Sequence, residues 1–255
     1  QRQAGIGVEY KTGDLLLQTG VFTDNIGDLD DDQNNTIGTS TRVVFQPQLG
    51  EAKLHLGGSF HWRDLGDGTT SVRYRQRPLV HFSDVRFIDT GGFGVGDNGD
   101  ILATEETRYG VEAAGIFGRF HAQAEAQWLT VKRTGFADPT FFGTAVEAGV
   151  FLTDDTRRFK GGNFGSIKVS NPVSKGGIGA IQFNVRYDHL DLVDAGIIGG
   201  IQDSYQASLI WTPIDYVRFM LQYGRLDYDQ AAILTGSGSD DYNVDVFGGR
   251  FQLSF

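Results

Sequence analysis

Hydrophobic and polar residues alternate along most of this chain, and the alternation is clearest in residues 243–255, NVDVFGGRFQLSF. Phe247, Phe251 and Phe255 fall on one face of this segment, whereas Arg250 falls on the other. Because successive side chains of a strand point to opposite sides, one face suits an apolar environment and the other suits water. The pattern therefore predicts an amphipathic strand at the end of the chain.

The same pattern recurs upstream, with turn residues between the alternating segments, and no segment with a helical period is long enough for a helix. It predicts about thirteen strands, near 3–12, 14–23, 40–49, 51–63, 71–79, 84–90, 107–117, 119–133, 140–153, 178–192, 203–213, 216–229 and 241–255. The fold class is therefore all-β, in a single domain over 1–255.

The lengths of the connections give each predicted strand a direction. Tight turns are predicted at Gly13, Gly50, Gly118 and 213–215, whereas long polar connections are predicted at 25–39, 91–106 and 229–240. The last strand resembles the closing strand of a bacterial outer-membrane barrel, and such antiparallel barrels have short periplasmic turns and longer outer loops. This rule places every tight turn on the periplasmic side, and it also places there the longest connection, 154–177.

Thirteen is an odd number, whereas bacterial barrels close with an even number of strands. One interpretation is that N-terminal strands of a longer barrel are missing from this chain. The other is a miscounted strand, at 84–90, which would leave a closed twelve-stranded barrel.

Composition narrows the class of protein. The mean hydropathy is −0.24, which fits a barrel wall that turns every second residue towards water. The net charge of −10 argues against a nucleic-acid partner, and the absence of cysteine excludes thiolate chemistry. No apolar run is long enough for a transmembrane helix. The acidic stretch 28–32 favours a solvated outer loop, with loose binding of divalent cations as the alternative.

Three arginines, Arg73, Arg75 and Arg77, recur at every second position of the predicted strand 71–79. An arginine that faces lipid at mid-membrane depth costs about 2–4 kcal/mol, so the three are expected to face the interior. They would form a cationic ladder about 13 Å long. The alternative is a set of ion pairs with interior carboxylates such as Glu112 and Glu147.

Further basic residues point inward by the same alternation. They are Arg42, Lys53, Arg63, Arg186 and Arg218, on four different predicted strands. Rings of arginine and lysine are the usual construction of an anion or phosphate pore, and arginine matches phosphate oxygens in a bidentate geometry. The pattern favours an interior track for anions.

The connection 154–177 is basic, since it contains Arg157, Arg158, Lys160, Lys168 and Lys175. A periplasmic connection of this length, charge and aromatic content favours a segment that folds back into the barrel and narrows it. A solvated loop is the alternative.

The chain resembles the phosphate-selective porin O and P family. The resemblance is carried by TRRFKGG (156–162), GAIQFNVRYDHLDL (179–192), WTPIDYVRFMLQY (211–223), the arginine stretch RYRQRP (73–78) and FIDT (87–90). It implies a sixteen-stranded, usually trimeric barrel with an arginine ladder inside. It also implies that Arg73, Arg75 and Arg77 line the channel and that 155–177 is an inward-folded periplasmic loop.

The sequence thus predicts a passive outer-membrane channel for small anions, plausibly phosphate or polyphosphate. A barrel that only holds partners in an envelope assembly is the alternative. We expect no enzyme activity, because Ser59 and His61 have no evident third partner, and we expect no cofactor and no metal site. The expected partners are outer-membrane lipid and lipopolysaccharide, small anions and two further copies in a homotrimer.

Overall fold

A computed structural model describes residues 3–25, 37–66, 70–81, 83–91 and 101–254 of the chain. The acidic stretch 28–32 lies outside these residues. Within them, the chain is built almost entirely from antiparallel strands, and no helix is long and apolar enough to span a membrane. The all-β prediction is confirmed.

One large sheet dominates the described part of the chain. Its path contains β1 (Gln3–Thr12), β2 (Leu15–Asn25), β3 (Ile37–Phe45), β5 (Ala52–Asp64), β10 (Glu105–Phe117), β11 (Phe120–Lys132), β12 (Thr140–Phe151), β15 (Ala180–Asp194), β16 (Ile197–Ile214), β17 (Val217–Asp229) and β18 (Tyr242–Leu253), in that order. A short strand, β4 (Gln48–Leu49), pairs with β5 beside this path.

The other short elements lie in two long connections. They are β6 (Thr70–Val72), β7 (Arg75–Gln76), β8 (Ile88–Asp89) and β9 (Ile101–Ala103) in the first, and β13 (Phe159–Lys160), β14 (Asn163–Phe164) and a 3₁₀ turn at Val173–Lys175 in the second. We call residues 65–104 the loop-end connection and residues 152–179 the turn-end connection, after the ends of the sheet from which they start.

Alternation gives the sheet an apolar face and a polar face. On β18, Phe247 and Phe251 are 77% and 61% exposed on the apolar face. Aromatic rings there pair across neighbouring strands: Phe219 lies 5.3 Å from Trp211 and 5.1 Å from Phe251, between ring centroids. Such cross-strand pairs stabilise one register, since a slip by one residue would turn every ring to the polar face.

The two ends of the sheet differ in their connections. The turn end has tight turns at 13–14, 118–119 and 215–216, and Gly13 and Gly118 adopt φ of +53° and +54°, a conformation that glycine reaches without strain. The turn-end connection starts from this same end, in agreement with the strand directions predicted from the sequence. The loop end carries the loop-end connection and residues 230–241, together with the shorter connection 133–139 and one tight turn at 195–196.

The prediction of wall strands at 71–79 and 84–90 is wrong. In the structure β5 pairs directly with β10, from Lys53 opposite Ile116 to Asp64 opposite Glu105, so no strand stands between them. Pro78 has no N–H for a ladder, and Leu79 takes a positive φ of 60°, so the first segment cannot continue as a strand.

Several apolar side chains of the loop-end connection are buried in a core instead of facing outward. Val72, Ile88 and Ile101 pack into a core with Phe141 of β12 and Leu226 of β17, on the polar face near the loop end. Burying a side chain such as Ile88, which is 0% exposed, contributes about 1.5–3 kcal/mol. The connection is therefore fastened across the polar face.

The two edge strands of the described sheet, β1 and β18, do not pair with each other. Both run from the loop end to the turn end, because neighbours alternate in direction along a path of eleven strands. Two parallel strands cannot complete an antiparallel ladder, so the twelve-stranded closure is not observed among the described residues.

Candidate functional site

The turn-end connection is anchored at its base by a buried carboxylate. Asp155, which is 2% exposed, accepts hydrogen bonds from the Ser170 backbone N–H at 2.7 Å and from the Thr153 hydroxyl at 2.6 Å. Beneath it, Phe151 packs with Ile167. These contacts hold the beginning and the end of the connection close together at the turn end of the sheet, and the residues between them extend from that point.

The middle of this connection forms a hairpin, β13–β14, that lies across the polar face. Arg42 of β3 donates to the Gly162 carbonyl at 2.9 Å. The Phe159 ring lies 5.5 Å from His55 of β5, and the Phe164 ring lies 6.0 Å from His121 of β11, between centroids. The hairpin therefore contacts strands on both sides of β10 and covers the polar face between them.

The five basic residues predicted in this connection have different environments. The Arg157 guanidinium lies over the Phe164 ring at 5.4 Å, and burial lowers the pKa of Arg157 while leaving it charged near neutral pH. Arg158 donates to the Ser166 carbonyl at 2.8 Å. The other three side chains, Lys160, Lys168 and Lys175, are exposed.

We expect Asp155→Ala to release the turn-end connection from the sheet. The substitution leaves two hydrogen bonds of Asp155 unmade in a buried site, at a cost of about 1–3 kcal/mol for each unsatisfied group. Limited trypsin digestion of the folded protein should then cleave after Lys160 or Lys168 several times faster. Asp154→Ala, next to it but with a fully exposed side chain, is the matched control, and equal rates in the two variants would contradict the anchor.

The loop-end connection carries Arg73, Arg75 and Arg77, but not as a ladder on one wall strand. Arg73 makes a bidentate ion pair with Asp89, with both N···O distances 2.7 Å. Arg77 pairs with the exposed carboxylate of Asp84 at 3.0 Å. Arg75 is exposed and pairs with no carboxylate among the described residues. The three positions therefore differ in the charge that they offer to a ligand.

Tyr74 fixes the position of these arginines on the polar face. Its hydroxyl donates to Glu106 of β10, its backbone N–H donates to the Thr90 hydroxyl at 2.9 Å, and its ring lies 5.5 Å from Phe141 of β12. Burial, followed by the charge of Glu106, raises the pKa of Tyr74, so the hydroxyl stays protonated as a donor. Arg73 and Arg75 are thereby held beside β10 and β12.

Three of the predicted wall arginines are neutralised by carboxylates on the same face. The pairs are Arg42 with Glu112 at 2.7 Å, Arg63 with Glu106 at 2.8 Å, and Arg186 with Asp188 at 2.5 Å. Lys53 and Arg218 have no ion pair within the described part of the chain. Sequence alternation placed these five side chains on the polar face, but it did not show which of them had a partner.

Sequence reasoning missed Arg108, which adds a further arginine to the polar face beside Arg73 and Arg75. Arg108 lies on β10, opposite Leu129 and His61 in the ladders, and it is exposed on the polar side with no carboxylate partner among the described residues. Tyr109 and Val111 are exposed on the apolar face, so the alternation of this strand was the signal that would have identified it.

Arg73, Arg75 and Arg108 line one cleft of about 400 Å³ between the loop-end connection and the sheet. Tyr74, Gln127 and Phe141 line the same cleft. We call it the arginine cleft. With Arg73 bound to Asp89, the uncompensated positive charges are those of Arg75 and Arg108. Two guanidinium groups in a partly enclosed space favour a small anion with several oxygen acceptors.

Comparison with known proteins identifies relatives over the whole chain. The family model described as "Phosphate-selective porin O and P" matches residues 1–255. An uncharacterized protein of Caulobacter vibrioides is 45% identical over 264 aligned positions, which cover 100% of this chain and 52% of that protein. Porin O of Pseudomonas aeruginosa is 27% identical over 283 positions, which cover 99% of this chain and 61% of that protein. The chain thus spans between half and two thirds of the length of these relatives.

Proposed function

Since this chain belongs to the phosphate-selective porin O and P family, we propose that it forms part of an outer-membrane channel for small anions and that the arginine cleft is its anion-binding part. The observation that carries the proposal is the pair of free guanidinium groups, Arg75 and Arg108, on a face where most other arginines are neutralised. An anion that enters the cleft exchanges part of its hydration shell for contacts with two fixed guanidinium groups.

The exposed apolar face supports the placement of the sheet in a lipid bilayer. Ile6 and Val8 on β1, Val111 on β10 and Leu221 on β17 are between 54% and 81% exposed, so a broad apolar surface runs around the sheet. Surfaces of this kind bury their apolar area in a partner or a membrane. The turn end would then face the periplasm and the loop end the outside.

The wall of the working channel requires more strands than those described. Because β1 and β18 run parallel, strands from the remainder of the full-length protein would stand between them, and their number must be odd. Closure also satisfies the free backbone groups of both edges, which lipid cannot do. The homotrimer and the contact with lipopolysaccharide stay predictions.

The geometry also suggests how conduction and selectivity are combined. The loop-end connection narrows the polar face from one end and the turn-end connection from the other. Ion pairs hold most wall arginines in place without adding net charge. An anion therefore binds only weakly along the polar face and can leave again. The arginine cleft, between the loop-end connection and the sheet, supplies the stronger site.

Bilayer recordings of the full-length protein test the proposal directly. Across a potassium chloride gradient, we expect a reversal potential close to the chloride equilibrium potential, and we expect phosphate to block the chloride current in a saturable manner. A reversal potential close to that of potassium would overturn the assignment. Insertion without any conductance would favour a structural role.

A further inference from the structure

A second compartment adjoins the arginine cleft, and nothing in the proposed function uses it. It has a volume of about 500 Å³ and is lined by polar side chains that include Gln76, Glu125, Gln127, Gln202, Ser204 and Gln206. We call it the amide chamber. Gln76 and Gln127 line both spaces, so the chamber opens directly beside Arg75 and Arg108.

The chamber offers no free cation among the described residues. Its arginine, Arg186, donates to Asp188 at 2.7 Å, and Asp188 also accepts hydrogen bonds from the Ser204 hydroxyl at 3.0 Å and from the Gln206 amide. Glu125 is exposed and adds a negative charge. A phosphate dianion is therefore disfavoured in the chamber, although it is favoured in the neighbouring cleft.

The polar groups that remain are suited to hydroxyl groups. The Gln202 side chain is largely buried, since the residue is 5% exposed, and it makes no hydrogen bond within the part of the chain that the structure describes. The amides of Gln76 and Gln127 are likewise without a partner there. Each amide can both donate and accept, and the Glu125 carboxylate can accept, which is the set that a hydroxyl needs.

Size supports the same conclusion. The combined volume of the cleft and the chamber falls in the range of about 300–1,000 Å³ that is usual for pockets that bind small organic ligands. Inorganic phosphate fills a small part of that space and leaves the amides of Gln76, Gln127 and Gln202 without a ligand partner. A ligand with an anionic end and a neutral, hydroxylated end would occupy both compartments.

We propose that the two compartments form one binding site for a hydroxylated organic phosphate, with its phosphate group at Arg75 and Arg108 and its hydroxyl groups in the amide chamber. This inference rests on the proposed function, because it places the phosphate group in the same arginine cleft. It extends that function from inorganic anions to phosphate monoesters of small polyols.

The experiment compares three ligands of similar charge on the full-length protein in bilayers. Half-saturation concentrations for block of the chloride current are measured with inorganic phosphate, methyl phosphate and glycerol 3-phosphate. We expect glycerol 3-phosphate to bind about three- to tenfold more tightly than methyl phosphate, which corresponds to one net hydrogen bond. Methyl phosphate controls for the ester, because it lacks the hydroxyl groups.

Variants of the chamber assign the preference to named residues. Gln202→Leu and Gln127→Leu should each reduce the ratio of the half-saturation concentrations of methyl phosphate and glycerol 3-phosphate towards one. Gln123→Leu, which removes an amide from the same face of β11 but outside both compartments, should keep that ratio. Chloride conductance without phosphate shows that every variant has folded and inserted.

The outcomes separate this inference from the proposed function. If phosphate and methyl phosphate block the current but glycerol 3-phosphate binds no more tightly, the polyol site is wrong and the anion channel stands. If none of the three ligands blocks the current, the arginine cleft is not the anion site, and both proposals fail. An unchanged preference in both chamber variants also overturns the polyol site.

Discussion

Replacing Arg75 and Arg108 together with glutamine is expected to raise the half-saturation concentration for phosphate more than tenfold. These two guanidinium groups are the uncompensated charges of the arginine cleft. A hydrogen bond to a charged group contributes roughly 1.5–3 kcal/mol, so the loss of two of them exceeds a factor of ten even after screening by water and salt. Phosphate block of the chloride current, recorded in bilayers, measures the change.

Two single variants distinguish site binding from a general change in charge. Arg63→Gln removes a cation that is already neutralised by Glu106, and Arg225→Gln removes one that lies on the apolar face beside Asp227. We expect either variant to change the half-saturation concentration for phosphate by less than about threefold, because exposed or screened charges interact only weakly with a ligand. A loss as large as that of the double variant would show that total charge, and not the cleft, determines affinity.

Much of the large sheet could be predicted from sequence because a strand that separates water from an apolar environment must alternate. The turns at Gly13 and Gly118 and the face of Phe247 and Phe251 all follow from that constraint. The loop-end connection obeys the same alternation for another reason, since its apolar residues, such as Ile88, are buried in a core on the polar face. A period of two does not distinguish lipid from a protein interior, which is why alternation alone wrongly predicts a wall strand at 71–79.

The pairing of charges could not be predicted from sequence, because the partners are distant along the chain. Arg42 of β3 and Glu112 of β10 meet across the strand between them, β5, so their contact depends on the register of three strands. Arg73 meets Asp89 only because the loop-end connection folds back on itself. Alternation shows which face of the sheet a side chain occupies. Whether its charge is compensated by an ion pair depends on these long-range neighbours.

The turn-end connection was recognisable from its length and charge, yet its path was not. Its anchor, Asp155, looks like any acidic loop residue in the sequence, and only the fold shows that it is buried. The hairpin Phe159–Phe164 then lies over His55 and His121 because both ends are fastened at the same place. Its position on the polar face makes it the segment with the largest expected effect on conduction.

Excising this hairpin is expected to increase the single-channel conductance at least about twofold. The Gly165 backbone N–H donates to the Arg158 carbonyl at 2.8 Å, so the two ends of the hairpin are adjacent and residues 159–164 can be replaced by Gly-Gly without moving the anchor at Asp155. The excision removes two aromatic rings and a turn from the polar face, and conductance rises with the open cross-section of a water-filled barrel.

A matched variant separates the bulk of the hairpin from its aromatic contacts. Phe159→Ala combined with Phe164→Ala removes the rings that lie on His55 and His121 but leaves the backbone that Arg42 holds at Gly162. We expect this variant to increase conductance less than the excision does, with more current noise because the hairpin is held less firmly. Arg75 and Arg108 line the arginine cleft, which shares no residue with the space beside the hairpin. Phosphate block should therefore persist in both variants. If the excised protein conducts as the native protein does, the hairpin does not narrow the channel, and the constriction lies at the loop-end connection alone.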